Sequence, residues 1–435
     1  MIWGRTTRAV AIAAVGATLA VAPVALVGAV PALEGDGRSP RGVDDPAVTS
    51  GLAWHLEATD AAFAWRSSLG VGTTVAIVDS GIDADHPDLA GQVVRSVSCI
   101  GAAGDPDRCA TVGADDGVPS TDHGTHVAGL VAARADDGIG VAGVAPRSKL
   151  LIARALGADC AASGCVPVGD TADVAAAVRW SVANGADVVN LSLTSGRRLG
   201  PELAAAIEEA WAAGAAPVLA AGNRSNVIGF GEVPSAIVVT ATARSGERAP
   251  YAPRVDGSPL GVAAPGGIDG DTERSCRIGG VPEGIISTSS RAGDGSGYAC
   301  LAGTSMAAPQ VSGGLALLLS MGFTRDQAVD RLLGTARPGA GLGAGEIDLA
   351  AATAPPLPRG VVDRPSRFDT GAPQTEAAAV STGPFATTSV GPGERVPRWL
   401  WVPLGGLVAG LVVDVAYRLH ERRRVQQAAS ALLDP

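Results

Sequence analysis

Three residues of this chain have the types and order needed for acyl transfer. Asp79 ends an apolar run inside "VAIVDSGIDADHPDL", His123 opens "HGTHVAGL", and Ser305 sits within "GTSMAAP" at the mouth of a long apolar stretch. A serine hydroxyl is a poor nucleophile and an amide a poor electrophile, so a base must take the hydroxyl proton during attack. Imidazole titrates near neutrality, so His123 can accept that proton and later give it to a leaving amine. A carboxylate such as Asp79 would hold the Nδ1–H tautomer and stabilise the imidazolium. Asp, His and Ser in that chain order is one of the orders in which a catalytic triad occurs. Read locally, Thr304-Ser305 is first an ordinary helix cap, because hydroxyls accept from the free N–H groups of a first turn and caps are commoner than nucleophiles.

The elements that must position these residues alternate. "TTVAIVDSG", "KLLIARAL", "ADVVNLSL", "AAPVLAAGN" and "SAIVVTATA" read as strands. "GTHVAGLVAARADD", "TADVAAAVRWSVANG" and "PELAAAIEEAWAAG" read as helices, the second closed by Gly185 and the third opened by Pro201. Strands and helices in turn, with unbroken apolar strands, predict an α/β fold with a parallel β-sheet and helices on both faces. In such sheets the site lies beyond the carboxyl ends of the strands. Three strands end in polar residues there: Asp79-Ser80, Asn190 to Thr194, and Asn223.

The segments "VAIVDSGID", "HGTHVAG", "AAGN" and "GTSMAAP" are very similar, in the same order, to the motifs of the subtilisin-like serine protease family (peptidase family S8). The resemblance covers about residues 52–352, with fainter matches at "VNLSL", "VAAPG", "IISTSS" and "GEIDLAAA". It implies a serine-type endopeptidase with Asp79, His123 and Ser305 as catalytic residues. It also implies an oxyanion hole made by the Asn223 side-chain amide and the Ser305 N–H. Substrate would pair by its backbone along Ser192, Leu193 and Thr194 on one edge and Ala221 and Gly222 on the other. Arg224 either lines the specificity pocket, by resemblance, or is a surface arginine. The chemistry requires no cofactor. Asp83, Asp85 and Asp88 form either a solvated turn or a structural calcium site of the kind some family members carry. H-x-x-H at His123 and His126 lacks a third ligand, so a metal is not expected and His126 reads as a hydrogen-bonded core residue. His86 reads as structural.

The chain also departs from the family. About twenty residues lie between the expected signal cleavage and Gly51, too few for the usual folded pro-domain. Thr194 and Ser195 stand where glycine is frequent. Residues 266–282 look like an inserted loop carrying Cys276.

The six cysteines are Cys99, Cys109, Cys160, Cys165, Cys276 and Cys300. They show no zinc spacing, and in an exported chain an even count reads as disulfides. The local pairing 99–109, 160–165, 276–300 is one of 15 connectivities. The net charge of −10 argues against nucleic-acid binding.

The ends carry targeting signals. Residues 1–32 read as a signal peptide, with Arg5 and Arg8 before an apolar stretch, or as an uncleaved anchor. Residues 33–50 form a short extension and 51–354 the catalytic domain. Residues 355–397 are a Pro/Gly/Thr-rich linker. Residues 398–418 are long and apolar enough for a transmembrane helix, with Trp399, Trp401 and Tyr417 at its interfaces. Arg418, Arg422, Arg423 and Arg424 place the tail, 419–435, in the cytoplasm and the catalytic domain outside. This order of parts resembles the mycosins, membrane-anchored subtilisin-like proteases of type VII secretion systems. The expectation is a membrane-anchored extracytoplasmic endopeptidase acting on protein or peptide substrates. The alternative is a scaffold subunit of a membrane secretion complex in which proteolysis is secondary. An esterase is disfavoured, since "GTSMAAP" is not the G-x-S-x-G elbow of that class.

Overall fold

Alternate residues of the apolar runs enter two different cores. The computed structural model describes residues 43–112, 121–161, 164–193, 199–223, 233–268, 283–290 and 297–355. Its strands are β1 (Thr74–Asp79), β2 (Val93–Ser98), β3 (Ala110–Thr111), β4 (Lys149–Arg154), β5 (Gly157–Ala161), β6 (Gly164–Val168), β7 (Val188–Leu191), β8 (Ala216–Ala220), β9 (Ile237–Thr242), β10 (Gly261–Pro265), β11 (Ile285–Thr288) and β12 (Tyr298–Leu301). In β1, Val75 and Ile77 enter one core while Ala76 and Val78 enter the other. In β7 the division is Val188 against Val189 and Leu191. A strand buried on both faces must be apolar throughout, which is why these runs show no polar alternation.

The main sheet has the order β10-β9-β8-β7-β1-β4-β2-β3 and is parallel except where β3 joins β2. The pairs β5–β6 and β11–β12 form separate antiparallel ribbons. The helices are α1 (Pro46–Thr49), α2 (Trp54–Ala58), α3 (Ala61–Ala64), α4 (Thr121–Ala132), α5 (Thr171–Ala183), α6 (Pro201–Ala212), α7 (Thr304–Ser320), α8 (Arg325–Gly334) and α9 (Leu349–Thr353). Apolar residues of α4 and α7 fill the first core, and those of α5 and α6 fill the second. The sheet is therefore covered on both faces, as the alternation predicts. Gly185 follows α5 at φ +85°, a left-handed conformation that glycine adopts without steric cost.

The folded body begins upstream of the boundary read at Gly51. Val43, Asp45 and Ala47 are buried, and Ala47 N–H donates to Gly140 O at 2.9 Å. The described residues all fall in the first of two units, Met1–Thr370. The signal, linker, span and tail lie outside the described residues. Among the described residues no helix is long and apolar enough to cross a membrane.

One expected disulfide is formed, between Cys99 and Cys109. Cys160 and Cys165 are directly opposed in the β5–β6 ribbon. Cys300 is disulfide-bonded and fully buried; Cys276 lies outside the described residues.

Two buried imidazoles tie stability to pH. His55 and His126 are both held neutral, their pKa values lowered to about 3 by desolvation first and neighbouring imidazole charge second. His126 Nε2–H donates to Ile285 O and Ala299 O at 3.0 and 3.1 Å. His55 has no hydrogen-bond partner on either ring nitrogen among the described residues. A depressed folded-state value means that this contribution is present above the unfolded value of about 6.5 and is lost as pH falls towards 3. Urea unfolding at pH 7 and pH 4 should show a loss on the order of 3 kcal/mol per histidine. His55→Phe should remove one histidine's share of that loss, and an unchanged difference would contradict the assignment.

Candidate active site

Asp79 is the last residue of β1, a central strand flanked by β4 and β7. Its side chain is 1% exposed, so its charge must be met locally. Oδ1 accepts from Ser80 N–H at 2.7 Å. Both carboxylate oxygens contact His123 Nδ1, at 2.8 and 3.0 Å. This contact fixes the Nδ1–H tautomer, leaving Nε2 as the acceptor. His123 is 23% exposed, so one side of the pair faces solvent and the other the protein. Burial pulls its pKa down, but the charge and hydrogen bond of Asp79 outweigh that, and the ring titrates above the ordinary imidazole value.

His123 stands in the first turn of α4, two residues inside the helix rather than at its opening. The helix is tied to the segment after β1. Gly124 N–H donates to Ser80 Oγ at 3.3 Å, and Asp83 N–H to Thr125 Oγ1 at 2.9 Å. Only glycine fits at 124, because a Cβ there would lie 2.1 Å from Gly81 O and 3.3 Å from Asp79 Oδ1.

Ser305 is the second residue of α7, whose 17 residues place its N-terminal partial positive charge at the serine. No side chain caps this helix; Gly303 occupies the cap position. The capping role that Thr304-Ser305 suggests locally is thus not used. Thr304 instead organises Asn223. Gly222 N–H donates to Thr304 Oγ1 at 3.0 Å, and Thr304 Oγ1–H and N–H donate to Asn223 Oδ1 at 3.1 and 2.9 Å. With its carbonyl engaged, the Asn223 amide is oriented with its Nδ2 donors away from Thr304. Gly303, at φ +155°, packs against that amide, and a Cβ there would lie 3.0 Å from Nδ2. Ser305 N–H finds no acceptor among the described residues.

Asp79, Ser192 and Asn223 thus end or follow the adjacent strands β1, β7 and β8, and α7 delivers Ser305 to the same strand ends. Asp79 and His123 are in contact, and Ser305 is joined to the Asn223 side through Thr304. Among the described residues no hydrogen bond runs from Ser305 Oγ to His123, and such bonds often tighten only when substrate binds.

The expected substrate edges differ in detail. Ser192 is buried, with its hydroxyl turned inward to Ser305 O at 2.9 Å. Leu193 is half-buried against the second core. Ala221 N–H is already taken by Val239 O at 2.9 Å. Thr194, Ser195 and Arg224 lie outside the described residues. The acidic cluster does not converge. Asp88 is fully buried and accepts from Val141 N–H at 2.9 Å and Tyr298 O–H at 3.2 Å, while Asp83 accepts from Asp85 N–H at 3.1 Å. Among the described residues no three His, Cys, Asp or Glu side chains are placed to hold a metal. His86 is structural, donating from Nε2 to Gly297 O at 2.7 Å while its Nδ1 accepts from Asp88 N–H at 3.2 Å. Ser80, Asn190, Gly303 and Thr304 each lie inside one of the motifs, but sequence reasoning alone assigns them no place in the site.

Residues 70–355 match the Subtilase family, Peptidase S8. The chain belongs to the subtilase family. It is 32% identical over 283 residues to the thermophilic serine proteinase of Bacillus sp. (strain AK1), covering 63% of this chain and 60% of that protein. It is 34% identical over 262 residues to thermitase of Thermoactinomyces vulgaris, covering 60% of this chain and 79% of that one. A solved protease from Pseudoalteromonas arctica PAMC 21717 superposes with a TM-score of 0.59 at 29% identity, over 72% of this chain and 99% of that one.

The packing around this subtilase's Asp79–His123 pair leaves no room at Gly124. Gly124→Ala should lower stability by about 1–3 kcal/mol, measured by urea unfolding. A variant as stable as the parent would contradict the packing.

Proposed function

We propose that the chain is a membrane-anchored, extracytoplasmic serine endopeptidase that hydrolyses peptide bonds through an acyl-enzyme on Ser305. The observation that supports this most strongly is the 2.8 Å contact between buried Asp79 and His123 Nδ1. It leaves a basic Nε2 at the carboxyl ends of the central strands, near which α7 starts with Ser305. His123 takes the Ser305 proton as Oγ attacks the substrate carbonyl carbon, and the carbonyl π pair moves onto oxygen. Asn223 Nδ2–H and Ser305 N–H meet that oxyanion, reinforced by the α7 N-terminus. Collapse breaks the C–N bond, and His123 protonates the departing amine. Water then repeats the sequence with His123 as base, releasing the acid and restoring Ser305.

Substrates are proteins or peptides, held by backbone pairing along 192–194 and against the 221–222 edge, whose N–H groups already bond within the fold. No cofactor takes part in the reaction, and any calcium would serve stability alone. The anchor and the outside location rest on residues 1–32 and 398–418 of the sequence. Membership of a secretion complex rests only on the order of parts shared with mycosins.

The test is labelling of the detergent-solubilised full chain with a serine-directed fluorophosphonate. Labelling should occur in the wild type and vanish in Ser305→Ala. Asn223→Ala should lower peptide turnover about 10²–10³-fold, a magnitude measured on a subtilisin and carried over here. A folded wild type that does not label would overturn the proposal and leave a non-catalytic scaffold role.

A further inference from the structure

Helix α7 contains a proline at position 309. In an α-helix the carbonyl of residue i accepts from the N–H of residue i+4, and proline has no N–H. The residue four before Pro309 is Ser305. Its carbonyl therefore lacks the usual i+4 donor, at the residue on which the proposed chemistry depends.

A neighbouring strand end supplies the missing donor. Ser192 Oγ–H donates to Ser305 O at 2.9 Å. Ser192 Oγ accepts from Asn190 Nδ2–H at 2.9 Å, which directs its single proton towards Ser305. Ser312 Oγ lies 2.9 Å from Asn190 Oδ1 and 3.1 Å from Ala308 O, so its single proton is shared between two acceptors as the network returns to α7 two turns further on. Asn190, Ser192 and Ser312 are all buried. The placement follows from strand period: Val188 packs on the α7 face and Val189 and Leu191 on the other, so Asn190 and Ser192 share the α7 face.

We infer that Asn190 and Ser192 are positioning residues, which set the orientation of Ser305 by holding the carbonyl that Pro309 leaves without its usual i+4 donor. The inference rests on the proposed nucleophilic role of Ser305. It gives the Ser192 side chain an inward task separate from any substrate pairing by its backbone.

The test uses the detergent-solubilised full chain, with fluorophosphonate labelling rates, kcat and KM on a peptide substrate, and urea unfolding of each variant. Ser192→Ala and Asn190→Ala should each slow labelling and kcat about tenfold, with KM changed less than about twofold. The double variant should be no slower than the slower single one, because both act through one bond. Pro309→Ala restores an N–H at 309, so Ser192→Ala should cost less than about threefold in that background. Ser192→Cys keeps the shape with a weaker donor and should shift the rate in the same direction should the alanine variant not fold. Wild-type rates in folded Ser192 variants, an effect confined to KM, or an undiminished loss in the Pro309→Ala background would each overturn the inference. A labelling wild type with indifferent variants would overturn it alone; a wild type that fails to label would overturn the nucleophile assignment with it.

Discussion

The arrangement depends on one buried carboxylate. Asp79 ends β1 at 1% exposure, where an unpartnered charge would be strongly unfavourable. Its compensation is the Ser80 N–H and the Nδ1–H of His123. That requirement fixes where α4 must start and how close it must come, and it fixes the tautomer of the ring. The same carboxylate raises the histidine's proton affinity against the opposing effect of burial. A structural debt at the end of a strand and a poised base are thus a single interaction.

Sheet order supplies the other half. β7 and β8 follow β1 on one side, so the Ser192 and Asn223 termini fall beside Asp79. Helix α7 lies across these strands and is bound to them by polar contacts at its first turn, through Thr304 to Asn223 and through Ser192 to Ser305. Small residues allow this closeness. Gly124 sits against Gly81 O and Gly303 against the Asn223 amide. The scarcity of aromatics and abundance of alanine and glycine in the sequence are consistent with a core built on near backbone contact rather than on large side chains.

Much of this was legible from residues alone. "VAIVD", "AAPVLAAGN" and "ADVVNLSL" read as buried parallel strands because strands covered on both faces are apolar at every position. Asp79 and Asn223 were visible because polar residues at the ends of such runs require a reason, and His123 and Ser305 because each opens a helix inside a motif that resembles the subtilisin-like family. The inward role of Ser192 was less visible, since a serine at a strand end reads equally as a solvated terminus. The signal that could have found it was the pairing of Asn190 with Ser192 at period two, together with a proline four residues beyond Ser305. The capping alternative at Thr304-Ser305 could not be settled locally, because a hydroxyl at a helix start suits both roles and only the position of Asn223 decides. The early boundary at Gly51 missed α1 because four residues with one proline carry no periodicity.

The most direct test of the central interaction is an NMR titration of His123. The account predicts a hydrogen-bonded Nδ1 proton far downfield and a ring pKa above the ordinary value of about 6.5, falling on Asp79→Asn. A ring that titrates at or below 6.5 and does not respond to Asp79→Asn would contradict it.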